Sequence, residues 1–209
     1  MRVQVPPRGL SYICYMRVNK KERRATRRRE KATVRDANVN DLLKMLNQGN
    51  KPAGFYDPIS REAVLFPGAD ESVREHELVH ATQFGPLRAL LNIGRVQDKQ
   101  TRESMRAITK DMAQEDYDML GSEGFSPLKY MIDDPKEFEA IISSAVNSPT
   151  AQGINFNQGF DQILESLNAL PEDETNTNIR LLRSAMAEGN LSDRQKDFFM
   201  KAVRSNLRS

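Results

Sequence analysis

The chain is predicted to adopt an α+β fold, mainly helical, with a small sheet just ahead of its best-bounded helix. Amphipathic helical patterns recur from Asn38 to the C-terminal third. Against them stands one short strand-like run, AVLF (Ala63 to Phe66), preceded by the turn-rich GFYDPIS. Charge is also divided: residues 1–35 carry 12 Lys or Arg against 2 Glu, while the remaining 174 carry 19 against 27 acidic groups. The expected organisation is a basic N-terminal arm (1–35), an acidic body (36–146) and a C-terminal helical packing or interaction region (147–209).

The arm opens with a short apolar and aromatic segment, LSYICYM, and continues as NKKERRATRRREK, which is helix-compatible but has no continuous apolar face. Its cations Lys20, Lys21, Arg23, Arg24, Arg27, Arg28, Arg29 and Lys31 suit nucleic-acid phosphates, an acidic protein partner or an acidic patch on the same chain. In NVNDLLKMLNQGNKP, Asn38 or Asn40 caps a short amphipathic helix. The next helix follows the Pro67-Gly68 turn; Ser72 with Glu75 reads as a capping box and Gly85-Pro86 as its stop.

Beyond that helix, TRESMRAITKDMAQEDYDMLG carries Met105, Met112 and Met119 seven residues apart, read as packing residues. In GFSPLKYMIDDPKEFEAIISSAV, Asp134 as N-cap, Pro135 at the first helical position and Glu137 two residues on mark a strong helix start. The Asn- and Gly-containing linker VNSPTAQGINFNQG then separates off three helical patterns, FDQILESLNAL, TNIRLLRSAMAEG and SDRQKDFFMKAVRSNL.

The chemistry lies in REHELVHATQ. It holds both histidines of the chain, His76 and His80, with Glu77 after the first. A helix turns once every 3.6 residues, so the two imidazoles stack on one face and can reach a common metal ion. Glu77 sits about 100° around, beside the pair, where a carboxylate can hold a water without taking a ligand position. Two histidines rarely complete a catalytic zinc site, and a third protein ligand leaves the fourth position for water. With no histidine left, that ligand is a carboxylate, tyrosine or cysteine, and the best source is DDPKEFEA, with Glu137 and Glu139 both open.

At these residues the sequence resembles the zinc metallopeptidases of the gluzincin type. His76-Glu77-Leu78-Val79-His80, followed by Ala81-Thr82-Gln83, looks like the HELxHxxQ variant of their first motif. Pro135, Glu137, Phe138, Glu139 and Ala140 follow the order of the second. The resemblance covers roughly residues 54–145 and implies a zincin-like domain. It also implies Zn2+ as cofactor, a peptide or protein as substrate, Glu137 as third ligand with Glu139 as the alternative, and Glu77 as general base. Ile141 departs from the pattern: it stands where an acidic or amide residue would orient the first histidine. Related enzymes add a distant His or Tyr to stabilise the oxyanion, and Tyr117 and Tyr130 are the candidates here.

The alternative is a non-catalytic virion or structural protein on a degenerate zincin scaffold, its basic arm binding nucleic acid, as in a phage or mobile-element component. Cys14 is the single cysteine, which excludes an internal disulfide and fits a reducing compartment. The sequence shows neither a signal-peptide pattern nor an apolar run of membrane-spanning length, so the expected setting is cytoplasmic, or virion-associated for a phage protein, with no membrane partner.

Overall fold

Polar side chains dominate the N-terminal side, where a helix, α1, covers residues 23–30 and leads directly into a strand, β1 (Thr33–Asp36). The computed structural model describes residues 23–48, 53–84, 94–122, 124–173, 175–188 and 190–207. Cys14, Lys20, Lys21, the LSYICYM segment and the Gly85-Pro86 stop lie outside the described residues.

Helix α2 (Val39–Gln48) is capped by Asn38, whose Oδ1 accepts from the amides of Asn40 and Asp41 at 2.9 and 3.1 Å. Two further strands follow, β2 (Gly54–Asp57) and β3 (Glu62–Leu65), and the sheet order is β1-β3-β2. β1 runs parallel to β3, with Thr33 opposite Glu62, and β2 runs antiparallel to it, with Gly54 opposite Leu65. The strand expected at 63–66 therefore begins one residue earlier, and Phe66 instead bonds through its amide to the Ala53 carbonyl at 3.0 Å. β1 and β2 are four-residue strands, too short for an alternation to stand out in the sequence.

Helix α3 (Glu71–Gln83) packs against β2 and β3. Its cap is Asp70 rather than the expected Ser72: Asp70 Oδ1 accepts from the amides of Ser72 and Val73 at 2.9 and 3.1 Å. The other oxygen, Oδ2, accepts from the amide and hydroxyl of Thr177 at 2.8 and 2.7 Å. Burial pushes the Asp70 carboxyl up, but these hydrogen bonds outweigh it and hold the group below its ordinary value.

The rest is helical: α4 (Lys99–Asp111), α5 (Gln114–Met119), α6 (Pro127–Asp133), α7 (Pro135–Val146), α8 (Phe160–Asn168), α9 (Thr177–Glu188) and α10 (Asp193–Ser205), with a short 3-10 turn at Pro149–Ala151. Their apolar faces share one core that runs from Met105 and Ile108 through Ile141 and Ile142 to Leu182 and Val203. At its centre Phe199 of α10 meets Phe138 of α7 and Phe160 of α8 edge-on, with centroids 5.3 and 5.7 Å apart. Helices α8, α9 and α10 thus share a core with α4 and α7. Of the three methionines, Met105 is buried and Met112 packs at the core's edge, whereas Met119, at the end of the six-residue α5, is 63% exposed.

The architecture is a mainly helical α+β fold whose three-stranded sheet precedes the helix carrying His76, Glu77 and His80, matching a zincin-like fold. None of the described helices is long and apolar enough to cross a membrane.

Candidate metal centre

The helical spacing of His76 and His80 brings their rings edge to face, with centroids 4.7 Å apart. Opposite them begins α7. Asp134 caps that helix, accepting from the Lys136 amide at 2.9 Å, and Pro135 fills the first helical position. The cap is therefore complete without Glu137, whose carboxylate crosses to α3 and straddles the two imidazoles. Its Oε2 lies 3.0 Å from His76 Nε2 and its Oε1 lies 3.2 Å from His80 Nε2, while the two Nε2 atoms are 3.0 Å apart.

These three side chains form a group able to hold a metal ion, with one donor atom from each inside a 4.8 Å span. A tetrahedral site with bonds of about 2.0–2.1 Å has donor-to-donor edges of about 3.4 Å, so a small outward relaxation of the observed triangle admits such an ion. The ring chemistry agrees. His80 Nδ1 lies 2.8 Å from Gln83 Oε1, an acceptor, so Nδ1 carries a proton and Nε2 is the nitrogen turned to the centre, its lone pair available there once Nε2 gives up the proton it shares with Glu137. His76 Nδ1, by contrast, is buried with no hydrogen-bond partner among the described residues. Ile141, fully buried in the core, offers it none, which is the consequence foreseen from the departure at that position.

Electrostatically the cluster is tightly coupled. Burial pushes His80 down, but the hydrogen bond to Glu137 and the charges of Glu137 and Glu77 raise it to about 9. Burial pushes the Glu137 carboxyl up, and its bonds to His76 and His80 overcome this and hold it well below the usual range.

Glu77 is buried and outside the ligand group. Its carboxylate accepts no hydrogen bond from the described residues. Burial raises its pKa, opposed by the two histidines and reinforced by Glu137. Gly54 makes room for it: a Cβ there would lie 3.2 Å from Glu77 Cγ and 3.1 Å from the Val64 carbonyl oxygen. The ligands and Glu77 open onto a cavity of about 270 Å³, bounded by β2 through Gly54, Phe55 and Tyr56, by Phe84, and by Tyr130 of α6.

The two tyrosines foreseen as oxyanion stabilisers part company. Tyr130 lines the cavity beside Glu137; the residue is 40% exposed, while desolvation of the hydroxyl and the charge of Glu137 push that hydroxyl well up. Tyr117 instead donates to Asp133 at 2.7 Å and is not among the residues lining the cavity. Glu139, the alternative ligand, is buried away from the histidines, where it accepts from the amides of Gln97 and Asp98. On the arm, Arg29 forms an ion pair with Glu75 of α3 and Arg28 is close enough to Tyr56 to act on its hydroxyl; Arg23, Arg24, Arg27 and Lys31 are exposed.

No family model, curated protein or solved structure matches the chain. The site itself is informative: His76, Glu77 and His80 with the distant Glu137 match the HExxH-type metal-binding motif typical of gluzincin metallopeptidases. A ligand triad beside a buried carboxylate with no hydrogen-bond partner among the described residues is the arrangement of a metal-dependent hydrolytic active site, and it supports classification as a metallopeptidase acting on a peptide or protein. Sequence reading missed Asp70 as cap because Ser72 with Glu75 has the form of a capping box, and missed the partners of Gln83 on α7 because they lie 53 and 56 residues away.

Proposed function

We propose that the protein hydrolyses peptide bonds using Zn2+ held by His76, His80 and Glu137, with Glu77 as the proton carrier. The observation that carries this reading is the meeting of two Nε2 atoms and a carboxylate within 3.0–3.2 Å, beside a buried carboxylate that has no hydrogen-bond partner among the described residues. Two imidazoles and one carboxylate are a donor set that zinc takes in catalytic sites. When bound, the ion supplies Lewis-acid polarisation of a water molecule and of the scissile carbonyl.

Glu77 accepts a proton from the attacking water and later delivers it to the leaving amine nitrogen. Its raised pKa suits both halves of that task, since a carboxylate too weakly basic would not take the proton. Tyr130, kept protonated by desolvation of its hydroxyl and by Glu137, is the hydroxyl donor for the developing oxyanion. β2 is one of the two outer strands of the sheet and lines the cavity, so an extended peptide adds along its edge, which no described strand covers, and presents a carbonyl to the centre. The exposed cations of α1 are left for an acidic or nucleic-acid partner, whose binding weakens with salt and with neutralisation of residues 20–31.

The test compares wild type with Glu77→Gln on an unstructured protein substrate, reading new amino termini with metal content measured in parallel. The variant is expected to keep its metal and lose about 10²–10⁴-fold in rate. Hydrolysis by Glu77→Gln at the wild-type rate would sink the mechanism.

A further inference from the structure

Gln83 ends α3 one turn beyond His80 and is 1% exposed. Its amide nitrogen donates to Glu139 Oε2 at 2.8 Å and to the Lys136 carbonyl at 3.1 Å. Both partners only accept, so the orientation of the amide is fixed: nitrogen toward α7, oxygen toward His80 Nδ1 at 2.8 Å. Glu139 is fixed in its turn, because its carboxylate accepts from the Gln97 amide at 2.8 and 3.0 Å and from the Asp98 amide at 2.6 Å. Glu139, Gln83 and His80 are all buried, each has its polarity set by the next, and the chain ends on a ring nitrogen of a candidate ligand.

We propose that Gln83 and Glu139 are positioning residues that lock the His80 ring with Nδ1–H outward and Nε2 toward the metal centre. The role in metal binding rests on the peptidase reading above; the locking of the ring does not. His76 Nδ1 has no such support among the described residues, so orientation of the pair falls on the second histidine. The loop at 97–98, through its two amides, becomes part of the machinery that sets the ligand geometry.

A polarity swap tests this. Gln83→Leu removes the acceptor; Gln83→Glu restores it but sets two carboxylates against each other; Gln83→Glu with Glu139→Gln reverses donor and acceptor between the pair while keeping both shapes. Zn2+ affinity is read by competition with a chromogenic chelator. In the metal-free protein, the hydrogen-bonded Nδ1–H of His80 is read by nitrogen-15 NMR, which is tractable with only two histidines in the chain. Melting curves report folding.

The expected result is affinity weakened about 10–100-fold in both single variants, with the Nδ1–H signal lost in Gln83→Leu and both readouts recovered in part in the double variant, where the Lys136 carbonyl faces a carboxylate oxygen. A merely space-filling glutamine predicts no recovery by the swap. Wild-type affinity and an unchanged Nδ1–H signal in Gln83→Leu, or a double variant no better than Gln83→Glu, would overturn the proposal. Should wild type bind no Zn2+, the peptidase reading fails, while the NMR comparison still decides whether Gln83 locks the ring.

Discussion

Glu137 and Glu139 are two positions apart on one helix and do different work, because a helix turns them to directions about 200° apart. Glu137 meets the two Nε2 atoms, and Glu139 meets backbone amides and Gln83. The sequence narrowed the third ligand to this pair but could not choose, since the choice depends on how α7 rolls against α3. Tyr130 and Tyr117 were equally ambiguous, and only packing put Tyr130 on the cavity wall. Replacing Tyr130 with Phe is expected to lower kcat about 10–10³-fold with little change in metal content, as measured by initial rates and elemental analysis. Tyr117→Phe removes an exposed bond to Asp133 outside the cavity, and its rate is expected to stay within about twofold of wild type.

At the scale of elements, the helix carrying the histidines is pinned at both ends by distant chain. Its first turn is held by Asp70 and by Asn178, whose side-chain amide donates to the Ser72 carbonyl at 2.7 Å. At its last turn the Gln83 carbonyl accepts from the Arg95 amide at 3.1 Å. Asp70→Ala removes a helix cap and a link to α9 together, and is expected to cost about 1–2 kcal/mol at neutral pH by chemical denaturation. The sign of the pH dependence follows from the depressed Asp70 pKa. The carboxylate's contribution is fully present above the ordinary value of 3.8 and is lost as pH falls through the lower folded value. The stability gap between wild type and variant should therefore be constant from pH 7 to about 5 and narrow toward pH 3. The helix itself was legible from its spacing and its flanking turn residues. Its true cap was not, because Ser72 with Glu75 has the form of a capping box two residues beyond Asp70, and the link of Asp70 to Thr177 was hidden because that partner is 107 residues away.

For the whole molecule, the core joins the C-terminal helices to the metal helix pair through one aromatic cluster. Phe138 lies between Glu137 and Glu139 in sequence and is fully buried against Phe199 of α10. Phe199→Ala should destabilise the protein by about 3–5 kcal/mol, read as a shift in the denaturation midpoint. Near-wild-type stability would mean that α10 is dispensable to this core. Mainly helical class and the sheet before α3 were readable from periodicity, whereas the sharing of a core among α8, α9, α10 and the ligand-bearing helices was not, since linker composition says nothing of which faces meet.

The most direct test of the central claim is the metal content, by elemental mass spectrometry, of protein supplied with Zn2+ and freed of unbound metal, beside Glu137→Ala. The account predicts one zinc ion per wild-type chain and a strong loss in the variant, since the triangle of donors then lacks one corner. A metal-free wild type, or a Glu137→Ala protein that holds zinc as tightly as wild type, would contradict it.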